Sequence, residues 1–359
     1  MKKIRIGIIG CGGIAYGKHM PSLKVLENAE MVAFCDIVKE KAQEAKEKFG
    51  TIDAKVYTNY KDLIADSTID AVHVCTPNKS HSFITIDSLE AGKHVMCEKP
   101  MAKTSKEARE MLEVAKRTGK KLTIGYQNRF REDTQYLNKM TENKDLGEIY
   151  FTKAHALRRR AVPTWGVFLN EEEQGGGPLI DIGTHALDLS LWLMDNYRPK
   201  YVVGNVYHKL SDKKDATNAF GAWNPDEFKV EDSAFGFVTM ENGATIVIES
   251  SWALNTLEEG EAQVTLCGTK GGADMKDGLR INGEAYSRLY ENKIKLDSGG
   301  VAFYDGVVET AEIREAKMWI EAIVNDTEPL VKPEQALVIT QILEGIYESS
   351  KTGKPVFFS

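Results

Sequence analysis

Cysteine is scarce and unpatterned here. The 359 residues hold five, Cys11, Cys35, Cys75, Cys97 and Cys267, an odd number with no C-x-x-C pair. That excludes a disulfide framework and a paired-cysteine zinc site. It suits reduced, buried thiols, since four of the five lie in or beside apolar runs. No apolar run is long enough to span a membrane. The opening MKKIRIGIIGCGGIA has the look of a signal peptide, but its apolar run is short and broken by glycines. Reading it as a buried first strand places the protein in the cytoplasm. Basic blocks are missing apart from Arg158-Arg159-Arg160, and the net charge of −7 argues against a general nucleic-acid binder. Repeats and low-complexity segments are also absent.

What is present is a soluble, globular composition, 42% hydrophobic and 28% charged, in a chain long enough for two domains. The first part alternates strand and helix signals. Strands are expected at Ile4–Ile9, Met31–Cys35, Val56–Tyr57, Ala71–Cys75, His94–Cys97 and Leu122–Gly125. Helices are expected at Ile14–Glu27 (bent at Pro21), Lys39–Phe49, Tyr60–Ala65, Ser80–Ala91 and Ser105–Thr118. Repeated βα units predict an α/β fold that opens with a doubly wound Rossmann domain over residues 1–126.

After about Tyr126 the runs become longer and richer in β-branched and aromatic residues: Ile149–Leu157, Tyr201–Tyr207, Ser233–Met240, Ala244–Trp252 and Gln263–Cys267. Glu241-Asn242-Gly243 between two of them reads as a hairpin turn. Helices are expected at Glu132–Thr141, Ile180–Met194, Ala311–Asn325 and Glu334–Ser349. Residues 127–359 therefore read as an α+β domain with a large, mostly antiparallel sheet. Residues 211–231 lack periodicity, and a loop that long serves as a lid or as an oligomer contact.

Four motifs carry chemistry. Gly10-Cys11-Gly12-Gly13-Ile14-Ala15 fits G-x-G-x-x-A between a strand and a helix. There Gly10 makes a tight turn, Gly12 admits a pyrophosphate to the helix N-terminus, and small Ala15 lets the helix approach the sheet. Asp36, at the end of the second strand, suits the ribose hydroxyls. With Ile37 and Val38 next to it, nothing there binds a 2′-phosphate, so the pattern favours NAD(H) over NADP(H). Thr76, Asn78 and His81 follow the end of the Ala71–Cys75 strand, where they serve either a cofactor or a turn and helix cap. Glu98-Lys99-Pro100 follows another, where Lys99 faces the nicotinamide or makes a surface salt bridge.

The fourth motif, GGGPLIDIGTHALD at 175–188, sets Asp181 and His185 four residues apart, on one face of a helix. They can serve one hydroxyl as orienting carboxylate and general base, or be a helix-start charge and a core histidine. A metal pair fits the spacing too, but no third ligand presents itself, so no metal is expected.

Taken together, GCGGIA, EKP and D-x-x-x-H resemble the Gfo/Idh/MocA family over essentially the whole chain. The resemblance implies a Rossmann domain followed by a domain whose open sheet makes dimer or tetramer contacts. It implies that Lys99 contacts the nicotinamide ribose and the substrate, that Asp181 binds a substrate hydroxyl and that His185 is the acid/base. Gly13, Ile14, Glu98 and Gln127 then join the cofactor set, and Arg129 the substrate set. Arg158 and Trp165 add guanidinium donors beside an aromatic face, which suits a sugar ring or, equally, a solvated edge and a core tryptophan. The expected activity is hydride transfer between NAD(H) and a secondary hydroxyl of a small sugar, cyclitol or glycoside. Its rivals are an NAD-dependent glycosidase and a non-catalytic NAD(H) sensor.

Overall fold

A computed structural model describes residues 3–296 and 309–358. The chain forms two compact units, Met1–Phe130 with Glu309–Leu337, and Arg131–Val308 with Val338–Ser359.

The first unit is built on six parallel strands: β1 (Ile4–Ile9), β2 (Ala29–Cys35), β3 (Lys55–Tyr57), β4 (Ala71–Val74), β5 (His94–Cys97) and β6 (Leu122–Ile124). Their order is β3-β2-β1-β4-β5-β6, the Rossmann arrangement. Strands such as IRIGII and AVHV are apolar because helices cover both faces of the sheet. The helices are α1 (Met20–Lys24), α2 (Lys39–Phe49), α3 (Tyr60–Ile64), α4 (His81–Glu90) and α5 (Ser105–Thr118). A capping box of Thr104 and Glu107 starts α5, and Gly119 in the left-handed region (φ +65°) ends it.

The helix expected from Ile14 is not a plain one. Ala15–His19 winds as a π-helix and passes directly into α1, whose second residue is Pro21. Residues 309–337 read on sequence with the second domain, yet they belong to this unit. Ala316, Trp319 and Ile320 of their helix join the core of Ile6, Ile8, Met20 and Phe34.

In the second unit, α6 (Glu132–Glu142), β7 (Ile149–Leu157), α7 (Glu171–Gln174), α8 (Thr184–Met194) and β8 (Pro199–Tyr207) come first. β9 (Ser233–Met240), β10 (Thr245–Ser251), β11 (Gly260–Gly268), β12 (Gly271–Asp274), β13 (Arg280–Ala285), β14 (Arg288–Lys293) and β15 (Val356–Phe357) complete the sheet. Its order is β14-β13-β12-β11-β7-β10-β9-β8-β15, antiparallel except for β7 with β10. Alternating burial along β10 and β11 shows one face turned to the core, and the almost wholly buried α8 covers that face over β7 and β11. The hairpin at Glu241–Gly243 is present, with Gly243 at φ +86°. The remaining helices are α9 (Ala311–Val324), in the first unit, and α10 (Pro333–Thr352), which belongs to the second from Val338 on.

Residues 211–231 hold no helix or strand but are pinned. The Asp232 carboxylate accepts the main-chain N–H groups of Leu210 and Ser211 at 2.6 and 3.0 Å, and Trp223 donates to the Ser211 carbonyl at 2.9 Å. Trp223, Phe228 and Val230 are buried, so the segment carries its own small core.

Candidate active site

In the first unit the expected cofactor residues lie along one edge of the sheet, past the C-terminal ends of β1, β2, β4, β5 and β6. Gly10 adopts φ +90°, and a Cβ there would stand 2.7 Å from the Cys75 carbonyl oxygen, so only glycine fits this turn. Around Gly12 and Gly13 a Cβ would meet nothing within 4 Å, which leaves an open cradle at the start of the helix. Ile14 beside them is 40% exposed. A pyrophosphate group fits that space and that helix end.

Asp36 closes the cradle from the side. Its Oδ2 accepts the Cys11 N–H and its Oδ1 the Val38 N–H, both at 2.9 Å. Each oxygen keeps a lone pair for ribose hydroxyls, and the exposed Ile37 and Val38 put no cation beside it. Thr76 accepts from Ser80, and Asn78 opens the short 3₁₀ turn Asn78–Ser80.

Three expected contacts are corrected. His81 is buried and uses both ring nitrogens on main-chain carbonyls, Nδ1 on Pro100 at 2.8 Å and Nε2 on Thr76 at 2.9 Å. It ties the TPN loop to the EKP loop and has no nitrogen left for a cofactor. Arg129 is fully buried and donates to Gln335 Oε1 at 2.7 Å, so it anchors the returning segment instead of touching substrate.

Glu98 is the third. It is buried and held by three donors of the protein itself. Its Oε1 accepts from Lys18 Nζ at 2.7 Å and His19 Nε2 at 2.8 Å, and its Oε2 from the Lys99 N–H at 3.1 Å. Lys18 also donates to Gln127 Oε1 at 2.8 Å and pairs with Glu315 Oε2 at 2.9 Å. This network sets the main chain at half-buried Lys99 and the side chain of Gln127.

The charges in it are balanced. Burial opposes every ion. Glu315 and Glu98 nevertheless outweigh that penalty and hold the Lys18 ammonium above the ordinary lysine pKa, while Lys18 and His19 hold Glu98 well below its own. With Lys18 matched by Glu98, a second negative charge finds no counterpart, and burial pushes Glu315 up to about 7. Burial also lowers both His19 and His73, which therefore stay neutral. The Glu98 carboxylate then requires a proton on His19 Nε2. His19 Nδ1 becomes an acceptor, and His73 must donate to it from Nδ1, 2.9 Å away. His73 Nε2, which finds no partner among the described residues, is left as a bare lone pair, cheaper to bury than an N–H.

In the second unit the GGGP segment leads into a π-helical turn, Leu179–Gly183, and then α8. Asp181 lies inside the π turn and His185 at the second position of α8, in place of the plain helix expected. Two of the segment's three glycines make room for neighbouring side chains and backbone. A Cβ on Gly176 would stand 2.1 Å from the Tyr347 hydroxyl, and one on Gly177 2.3 Å from the Glu231 carbonyl oxygen.

Glu231 secures this turn. It accepts the N–H groups of Gly177 and Leu179 at 2.8 and 3.1 Å and the Tyr347 hydroxyl at 2.8 Å. Burial pushes it up to about 7 against the pull of those three donors. Trp252, fully buried, donates Nε1–H to Asp181 Oδ2 at 3.1 Å. Arg158 donates to Glu261 Oε2 at 2.8 Å and to the Ala161 carbonyl at 3.0 Å. Burial opposes its charge, but Glu261 and Asp181 raise its pKa. Trp165 is no core residue, being 52% exposed.

Sequence reasoning missed Lys18, His19, Glu231, Trp252 and Glu315. The signal available was a charged or polar side chain inside an otherwise apolar stretch, as in Ala15–Leu23 around Lys18 and His19.

The model of an oxidoreductase family, NAD-binding Rossmann fold, matches residues 4–126, and that of the family's C-terminal alpha/beta domain matches 138–358. A D-glucoside 3-dehydrogenase of Escherichia coli (strain K12) is 37% identical over 357 residues, 98% of this chain and 97% of the relative. A myo-inositol 2-dehydrogenase of Thermotoga maritima is 32% identical over 191 residues, about half of each chain at 53% and 55%. Among solved structures, a levoglucosan dehydrogenase in complex with NADH and L-sorbose covers both chains fully with a TM-score of 0.83; at 22% identity this shows the shared fold. An open glycine cradle on a six-stranded parallel sheet, a nine-stranded second sheet, both family models and near-full-length similarity agree: the chain belongs to the Gfo/Idh/MocA family of oxidoreductases.

Proposed function

We propose that the protein oxidises a secondary hydroxyl of a sugar, glycoside or cyclitol with NAD⁺. The observation that carries this reading is the 37% identity, over nearly the whole length, with a D-glucoside 3-dehydrogenase. Gly10, Gly12, Gly13, Ile14 and Asp36 would hold the dinucleotide, with Thr76, Asn78, Lys99 and Gln127 towards its nicotinamide end. When bound, NAD⁺ supplies a two-electron acceptor for the hydride that leaves the carbinol carbon.

The chain's own groups manage the proton. His185 takes the hydroxyl proton. Lys99 donates to the same oxygen and stabilises the negative charge that develops on it. Asp181, steadied by Trp252, orients the hydroxyl by accepting a hydrogen bond from the sugar. Asp36 favours NAD(H) over NADP(H), because a carboxylate repels a 2′-phosphate. The five free thiols, four of them buried, support a reducing, cytoplasmic setting.

The test is a panel of monosaccharides, cyclitols and glycosides mixed with the protein and NAD⁺ or NADP⁺, followed by NADH or NADPH absorbance. Turnover with NAD⁺ on one substrate class supports the reading. Release of free sugar from a glycoside without net NADH assigns a glycosidase instead. Silence from a protein shown to bind NADH assigns a sensor.

A further inference from the structure

The second unit carries an aromatic surface that the chemistry above does not use. Of the five tryptophans, four are at most 8% exposed, while Trp165 stands 52% exposed. Beside it Phe220 is 46% exposed, and the two rings meet edge to face with centroids 4.8 Å apart. The pair is connected to the reactive carboxylate. Trp165 touches Phe168 (5.8 Å), Phe168 touches Trp252 (6.3 Å), and Trp252 holds Asp181.

The two aromatics come from segments more than fifty residues apart that are stitched to each other. The Asn218 side chain accepts the Val162 N–H at 2.8 Å and donates to the Val162 carbonyl at 2.9 Å. Thr164 Oγ1 donates to the Phe220 carbonyl at 2.6 Å, and the Ala219 N–H to the Arg160 carbonyl at 3.0 Å. Asn218 donates again to the Gly221 carbonyl at 2.7 Å, closing the turn that displays Phe220. An aromatic face fixed in this way binds a ligand with little ordering left to do. Polar groups flank it. Arg158, Arg159, Arg160, Glu259 and Glu261 line an adjoining cleft of about 440 Å³ that includes Ala219. Aromatic walls with a few fixed polar groups suit an amphipathic ring.

Phe168 touches both Trp165 and Trp252, so one chain of ring contacts runs from the exposed pair to the residue that holds Asp181. We propose that Trp165 and Phe220 form a subsite for the second ring of a glycoside, sugar or aryl, whose first ring presents the reacting hydroxyl to Asp181. This rests on the sugar-oxidation reading above and narrows it: the preferred substrate is a two-ring glycoside. Residues 211–231 then serve as a fixed wall of the substrate site.

The experiment compares initial rates on methyl glucoside, phenyl glucoside and a glucose disaccharide at saturating NAD⁺. It uses the wild type, Trp165→Ala, Trp165→Phe and Phe220→Ala. The wild type should favour two-ring substrates in kcat/KM by about three- to tenfold, the size of one aromatic contact. Trp165→Ala and Phe220→Ala should bring that ratio close to one, mainly through KM, and Trp165→Phe should keep part of it.

Equal kcat/KM for one-ring and two-ring substrates in the wild type overturns the subsite. So does a parallel loss on both in the variants, or a change in sedimentation that shows the pair covered by a second copy of the chain. Failure to oxidise methyl glucoside or any other sugar is a different result. It removes the sugar-oxidation reading, and the subsite falls with it.

Discussion

In the proposed function, Asp36 would both hold the fold and bind the cofactor, and His185 would move the proton. Asp36 braces the glycine turn through the Cys11 N–H while keeping lone pairs for a ribose. Asp36→Ala should therefore raise KM for NAD⁺ about tenfold or more and narrow the preference over NADP⁺, as read from initial rates with both cofactors. His185→Ala should lower kcat by about a hundredfold to ten-thousandfold, with the NADH dissociation constant, from fluorescence titration, close to wild type. Equal loss of both would count against a proton-transfer role.

Where these motif residues lie could be read from the sequence, because glycine spacing and D-x-x-x-H are local. What His81, Glu98 and Arg129 meet could not. Whether a polar group meets a ligand or the protein's own backbone depends on neighbours such as Pro100, Lys18 and Gln335, most of them distant in the chain.

Elements were legible where periodicity is strong. The βα alternation of the first unit and the β9–β10 hairpin follow from apolar runs and turn residues. β14, exposed along its whole length, has no apolar face to announce it. The two π-helical turns were equally hidden, since the extra residue per turn leaves the apolar pattern almost intact. Each of these turns leads to a histidine, His19 at the end of one and His185 two residues past the other.

The second turn depends on Glu231 and on the absence of a side chain at Gly177. Gly177→Ala forces a methyl against main chain and should destabilise the protein by about 1–3 kcal/mol, measured by denaturant unfolding. Glu231→Ala strands two buried N–H groups. It should depress kcat far more than KM for NAD⁺, because the binding cradle lies on the other unit.

At the scale of the molecule, Glu315 makes stability depend on pH. Its folded pKa, about 7, lies above the usual carboxyl value of 4.5, so the native state binds the extra proton. The resulting stabilisation is complete below pH 4.5 and is lost as pH rises through 7. Glu315→Gln should reduce the fall of the melting temperature between about pH 4.5 and 7, with Glu231, also at about 7, keeping the remainder; an unchanged slope would assign the proton elsewhere. The helix that carries Glu315 was legible as a helix, but its apolar face of Ala316, Trp319 and Ile320 does not say which sheet it will cover.

That it covers the first sheet has a consequence for biosynthesis. The N-terminal unit lacks part of its core until residue 337 has been made, some two hundred residues after its last strand. At about 5–20 residues per second, the ribosome leaves Ile6, Ile8 and Phe34 short of Trp319 and Ile320 for roughly 10–40 s. During that interval the nascent Rossmann sheet lacks the cover that those two side chains give it in the finished protein.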